Sequence, residues 1–171
     1  MVISDSSTLI HLAAIDRLNL LREFYGEVVA PEAVWRESVL QRADRPGVEL
    51  IEKARSDGWL RVEPITEKPL RLSLTQDLDE GEAEVITLAI EHQASLILLD
   101  ETEARRIAGI FGIAKTGVIG ILIRAKAEGK IPALRPELDR LRLRAGFWIA
   151  RELYRKVLAS VNEPAPGSTA P

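Results

Sequence analysis

Short apolar runs that alternate with helical patterns limit what this chain can fold into more than any other feature. The runs "MVIS" at 1–4, "EVVA" at 27–30, "ASLILL" at 94–99 and "IAK" at 113–115 have the length and apolar content of buried strands. Between them, apolar residues recur at helical spacing in "STLIHLAAI", "RLNLLREF", "PEAVWRESVLQ", "GVELIEKARSDG", residues 79–93, "ETEARRIAGIFG" and "GVIGILIRAKAEG". Strands that alternate with helices join by right-handed crossovers and pair in parallel, so both faces of their sheet are covered. At 171 residues the chain is too short for a (β/α)₈ barrel. The expectation is an α/β fold, a three-layer α/β/α sandwich with a central parallel β-sheet, built by residues 1–158 as one domain. "WLRVEPI" is expected to add an edge strand that Pro64 stops. Pro31 fits the start of a helix, and Gly58, Gly112 and Gly129 fit helix C-terminal caps. Two more helices, "PELDRLRLRAG" and "IARELYRKVLASV", follow Pro132, and residues 159–171, rich in Pro and small residues, read as a disordered tail.

Composition removes several chemistries. The chain has no cysteine, which excludes disulfides, thiolate zinc sites and cysteine nucleophiles and suits a reducing cytoplasm. "MVIS" runs straight into strand pattern, unlike a signal peptide, and no apolar run approaches the roughly 20 residues of a membrane span. A cytoplasmic protein without a membrane partner is expected. The net charge of −3 argues against a nucleic-acid partner until its distribution is considered. Residues 1–100 carry 10 basic and 19 acidic side chains, whereas residues 101–171 carry 13 and 7. Such asymmetry suits an acidic pocket beside a phosphate-attracting surface, and equally suits solvated helix faces.

The stretch "DEGEAEVITLAIE", residues 79–91, holds a carboxylate in an awkward place. At about 100° per residue, Glu80, Glu84, Thr87 and Glu91 share one face, read here as solvated, and Val85, Ile86, Ala89 and Ile90 share the buried one. Glu82 falls near the middle of the apolar face. A charge buried there must be paired, protonated or bound to a metal. Pairing with Arg or Lys competes seriously, but these residues are scarce inside the apolar stripes.

Ligands of open α/β sheets bind beyond the carboxyl ends of the strands. Asp5 follows "MVIS" and Asp100 follows "ASLILL", so both stand there. Helix capping explains each about as well, and Asp100 with Glu103 spells a capping-box-like D-x-x-E. Glu37 shares a helix face with Ala33, Val34 and Leu40, where a salt bridge to a basic neighbour is the simpler reading. As a set the four acids say more. Clustered, they would repel one another and raise their pKa values. A divalent cation with oxygen ligands, Mg²⁺ or Mn²⁺, reverses the sign of that interaction and would give Glu82 its reason to face inward.

With these residues the sequence resembles PIN-domain proteins, specifically the toxin-like ribonucleases called VapC-like. The likeness rests on "VISDSSTLIHL", "VVAPEAVWRES", "LDEGEAEVITLAIEHQASLILLDE" and "IAKTGVIGILIRAKAEGKI", with "PELDRLRLRAGFWIARELYRKVL" similar to the end of one subgroup. The resemblance implies a Mg²⁺- or Mn²⁺-dependent endoribonuclease leaving 5′-phosphate and 3′-hydroxyl ends, the toxin of a type II toxin–antitoxin system. It places Asp5, Glu37, Glu82 and Asp100 in the catalytic acidic cluster. Asp5, Glu82 and Asp100 would hold the metal, with Glu37 completing the cage. Ser6 matches a small hydroxyl residue that helps hold such sites together. Expected partners are RNA, a small antitoxin protein and a second copy of the chain. Departures exist: many relatives carry Asp where Glu82 stands, and a further Asp or Asn where this chain has Thr102. Glu101 or Glu103 would have to substitute, or the fourth acid is absent. Substrate contacts are expected from Ser6, Thr116, Arg105 and Lys115, with Arg106, Arg124 and Lys126 as further backbone-positioning candidates.

Two rivals stand beside this reading. The missing acid at 102 suits a PIN-fold module that is weakly active or inactive and works by binding protein. A phosphatase with an aspartyl nucleophile would use Asp5, but wants a second Asp where Ser7 stands. The remaining features read as structural. His11 is a packed or helix-edge residue, and Gly117 and Gly120 serve turn formation and helix packing. Phe147 and Trp148 pack a core, with a dimer interface as the other reading. "LRLRAG" is a solvated basic face rather than an RNA-binding signal.

Overall fold

Val2 and Ile3 are apolar, Ser4 closes the run, and β1 (Val2–Ser4) forms where they stand. The structure, a computed structural model, describes residues 1–42 and 46–164. In it β1 is the middle strand of a five-stranded parallel sheet with β2 (Val28–Pro31), β3 (Leu60–Glu63), β4 (Leu96–Leu98) and β5 (Lys115–Thr116). The order is β3-β2-β1-β4-β5. Ile3 sits level with Val29 on one side and Ile97 on the other, and all three are buried. Strands covered on both faces have to be apolar throughout, which is why these runs do not alternate with polar residues. β3 takes the edge, as expected, and Pro64 follows its last residue.

The connections place the reversal of strand order. α1 (Ser6–Ala14) and α2 (Asn19–Tyr25) join β1 to β2. α3 (Glu32–Ser38), one 3₁₀ turn and α4 (Val48–Ser56) join β2 to β3. The chain then returns past β1, through α5 (Lys68–Leu74) and α6 (Glu80–Glu91), to β4, and continues through α7 (Thr102–Ile110) to β5. Strands are now added in the opposite direction, so right-handed crossovers carry the later helices to the other face and complete the α/β/α layering. The reversal falls between β1 and β4, and the region beyond their carboxyl ends is where open α/β sheets bind ligands.

Two features depart from the sequence reading. α5 was not anticipated, because it has no apolar stripe: only Leu74 is buried, and Leu72 stays exposed. Its Arg71 reaches Glu80 and Glu84 of α6, and these tertiary contacts hold a segment that periodicity does not mark. The solvated face assigned to α6 is also wrong for Glu84 and Thr87, which are buried along with every residue from Ala83 to Ala89. Both α3 and α5 pack on this helix. The Glu84 carboxylate accepts from Ala33 N at 2.9 Å, serving the first turn of α3, and the Thr87 hydroxyl donates to Ala83 O at 2.7 Å.

Met1–Val118 form one compact unit, and a second begins at Ile119. The second contains most of α8 (Val118–Ala127), then α9 (Arg135–Arg144) and α10 (Arg151–Ser160), with Leu134, Leu138, Leu141, Ile149, Tyr154 and Leu158 buried. The Glu163 carboxylate accepts from Leu134 N at 2.6 Å and Arg135 N at 2.8 Å, capping α9 from beyond the end of α10. Defined structure therefore continues past residue 158, and the remainder of the expected tail, residues 165–171, lies outside the described residues. Trp148 does not pack a core: it is 83% exposed. Among the described residues no helix is long and apolar enough to cross a membrane.

Candidate active site

Asp5 is the first residue after β1, and its carboxylate has two jobs. Oδ1 accepts from Thr8 N at 2.7 Å, capping α1, and Oδ2 accepts from Asp100 N at 3.2 Å across the reversal point. Capping is thus real for Asp5, but it occupies one oxygen only. Asp100 does not cap the helix that follows it. Glu101 holds the N-cap position of α7 with no side-chain bond, while Asp100 Oδ1 accepts from Val118 N at 2.9 Å. Gly117 makes that bond possible, since a Cβ there would overlap Asp100 Oδ1. Turn formation alone therefore does not explain this glycine.

Thr8 joins the two aspartates. Its hydroxyl lies 3.4 Å from Asp100 Oδ2 and also hydrogen-bonds Asp5. His11 stands one turn further along α1, with Nδ1 3.5 Å from Asp100 Oδ2. Neither residue was singled out for the site from sequence. Their common signal, the i and i+3 spacing along a helix that starts at Asp5, has meaning only once β4 lies beside β1. Burial, and then the charge of Asp100, push the Asp5 carboxyl up to about 7.

A second acidic group flanks the first through Ser6. The Ser6 hydroxyl hydrogen-bonds the Glu37 carboxylate on α3, which the Gly81 backbone N–H of α6 also approaches. A Cβ at position 81 would come within 2.6 Å of Glu37 Oε2. Burial, and then the charge of Asp79, raise the Glu37 pKa. The salt bridge expected for Glu37 is absent from the described contacts; Arg36 turns instead to Glu80. Glu82 is half-buried rather than sunk among apolar side chains. It is the third residue of α6, where the helix end projects past the sheet, and it forms a capping box with Asp79. Glu82 N donates to Asp79 Oδ1 at 2.8 Å, and Asp79 N donates to Glu82 Oε2 at 3.2 Å. Burial first, then the charges of Asp79, Glu101 and Glu37, hold the Glu82 carboxyl up at about 7. Asp79 was missed as a site residue, although the D-x-x-E of residues 79–82 is its sequence signature.

The other candidates have contacts of their own. Glu103 is exposed and paired with Arg106, whose guanidinium holds its carboxyl below the usual range, and the capping box expected of it with Asp100 does not form. Glu101 is the acid whose charge reaches Glu82. Arg105 donates to Leu99 O at 2.7 Å, Arg124 pairs with Glu128, and Lys126 donates to Pro132 O at 2.6 Å. These contacts are local supports for the fold. Lys115 and Thr116 form β5 beside β4, half-buried, one and two residues before Gly117.

The four carboxylates offer oxygen donors, and after burial a neighbouring acid is the next cause that raises Asp5 and Glu82. That chemistry fits a hard divalent cation, which would offset the repulsion these groups now share. As the side chains stand, no three acidic or histidine residues among those described enclose one ion position. The pairs Asp5–Asp100 and Glu37–Glu82 lie side by side without having closed on a common point.

The strand order and the acids at its reversal point are compatible with a nuclease-type fold without requiring one. A family model described as a PIN domain matches residues 1–163, and the chain belongs to that family. No curated protein matches the sequence.

Proposed function

We propose that the chain is a Mg²⁺- or Mn²⁺-dependent endoribonuclease and the toxin of a type II toxin–antitoxin system. The observation that carries the proposal is the Asp5–Asp100 pair at the β1/β4 reversal, with Asp5 and Glu82 both raised to about 7 by burial and neighbouring acids. Asp5, Glu82 and Asp100 would hold the ion, with Glu37 completing the set. A bound ion supplies Lewis acidity at the phosphate and a water acidic enough to ionise near neutral pH. The protein's own part is to fix the carboxylates through backbone N–H donors and to orient Glu37 through Ser6.

An antitoxin partner and self-pairing belong to the same proposal and rest on the resemblance, and a cytoplasmic setting rests on the cysteine-free composition. A second reading, a weakly active binding module, draws on Glu103 facing solvent and Glu82 being engaged in a capping box. One experiment separates them. Incubated with mixed RNA and Mn²⁺, the wild type is expected to cut and Asp5→Asn to lose most of that activity. Equal cutting by both proteins would remove the site, and no cutting with no Mn²⁺-induced rise in melting temperature would favour the binding module.

A further inference from the structure

The end of the second unit carries a surface that the acidic site does not use. Two clefts of about 490 Å³ and 260 Å³ share Arg142 and Ile149 and so form one continuous face. The first adds Asp139, Leu143, Phe147 and Trp148, the second Arg151, Tyr154 and Arg155. Trp148 is 83% exposed and Leu143 85% exposed, so a large indole stands in water in the cleft that Arg142 lines, and Arg151 and Arg155 line the adjoining one. Asp139, the one acid on this face, is already engaged by the Tyr154 hydroxyl at 2.8 Å and by Arg135 at 3.9 Å. Arg142 lies over the Tyr154 ring, 5.7 Å from its centroid, which steadies a charge that none of the described acids neutralises. Ala150, at the N-cap of α10, offers no side-chain acceptor, so the first-turn N–H groups add to the same positive field.

We propose that this face, centred on Trp148 and Arg142, Arg151 and Arg155, is a contact site for single-stranded nucleic acid. The pairing of an open ring with free guanidinium groups selects that occupant. An unpaired base has a flat apolar face to stack on the indole, and its phosphates meet the arginines. A duplex keeps its bases stacked on one another and offers the indole nothing. An acidic protein segment would satisfy the charges but has no matching demand for an isolated exposed ring. The "LRLRAG" stretch is solvated, as expected, with Arg142, Leu143 and Arg144 exposed; the helix supplies Arg142, and the following loop supplies the ring.

The inference takes from the proposed function only that the partner is a nucleic acid, and binding measured without cleavage keeps the two apart. The full chain is titrated in EDTA into a labelled single-stranded RNA of about 12 nucleotides, long enough for one site, and read by fluorescence anisotropy. Trp148→Ala is expected to weaken binding about tenfold, the usual cost of one lost stacking platform. Arg151→Gln/Arg155→Gln is expected to flatten the dependence of log K on log salt by about one unit. Both changes are at exposed positions, and thermal melts matching the wild type would exclude misfolding. Wild-type binding by both variants would overturn the site, as would equal competition by a polyglutamate peptide, which would assign the face to an acidic protein. If the wild type cuts RNA while Trp148→Ala binds normally, only this contact falls. If nothing is cut but Trp148→Ala loses binding, only the nuclease reading falls.

Discussion

Asp5 and Asp100 leave adjacent parallel strands and are held by backbone donors, Thr8 N and Asp100 N for one, Val118 N for the other. Glu37 and Glu82 leave helices and are held by a hydroxyl, a capping box and a nearby glycine. The first pair is short-armed and set by the sheet register; the second is long-armed, half-exposed and able to rearrange. Burial raises the pKa of members of both pairs, yet only the strand-end pair has nowhere to move. A rigid pair that repels itself, next to an adaptable pair, is a way to keep a cation position ready without closing it beforehand.

Cleavage should separate the pairs most. Asp5→Asn or Asp100→Asn is expected to lower Mn²⁺-supported RNA cleavage by about 10²–10³-fold, the scale for losing a group that stabilises the transition state directly. Glu37→Gln should cost about 10–100-fold, the scale for a group that orients others. Initial rates on one RNA pool check both, and equal losses would erase the distinction.

The glycines test rigidity. Gly117→Ala forces a Cβ onto a short carboxylate fixed by Val118 N and is expected to destabilise by about 2–3 kcal/mol in chemical unfolding. Gly81→Ala should leave stability nearly unchanged, because Glu37 can swing away and alanine favours the helix by up to about 1 kcal/mol. Its cleavage rate should nevertheless fall.

The pH dependence of stability probes the buried pair. The Asp5 carboxyl stands at about 7 in the folded chain against 3.8 unfolded, so its contribution is fully present below the unfolded value. That contribution is lost as pH rises through 7. Between pH 5.5 and 8.5 in EDTA, stability should fall by about 2 kcal/mol from this group. Asp100→Asn should flatten the fall, since it removes the second-largest cause of the shift. Added Mn²⁺ should raise the melting temperature more at pH 8 than at pH 5.5, because protons compete with it for the same oxygens. A uniform Mn²⁺ effect across that range would break the link between the pair and the ion.

Much of this molecule was legible before folding. Apolar runs around Ile3, Val29 and Ile97 announced a parallel sheet because strands buried on both faces have no polar side to hide. Asp5 and Asp100 were legible because chain position alone places a residue that follows a strand at the sheet's carboxyl edge. α5 was not, as Arg71 and its acidic partners stabilise it instead of an apolar stripe. Nor were Glu84 and Thr87, since periodicity reports one helix face and says nothing of α3 and α5 closing over the other. Thr8, His11 and Asp79 joined the site only when β4 came to lie beside β1 and α6 beside α3. The sequence by itself determined the order of elements and the strand-end acids, through local hydrophobic pattern and chain position. Tertiary structure alone decided which charges face one another, because electrostatic neighbours are set by distances that close only when separate crossovers pack on one sheet.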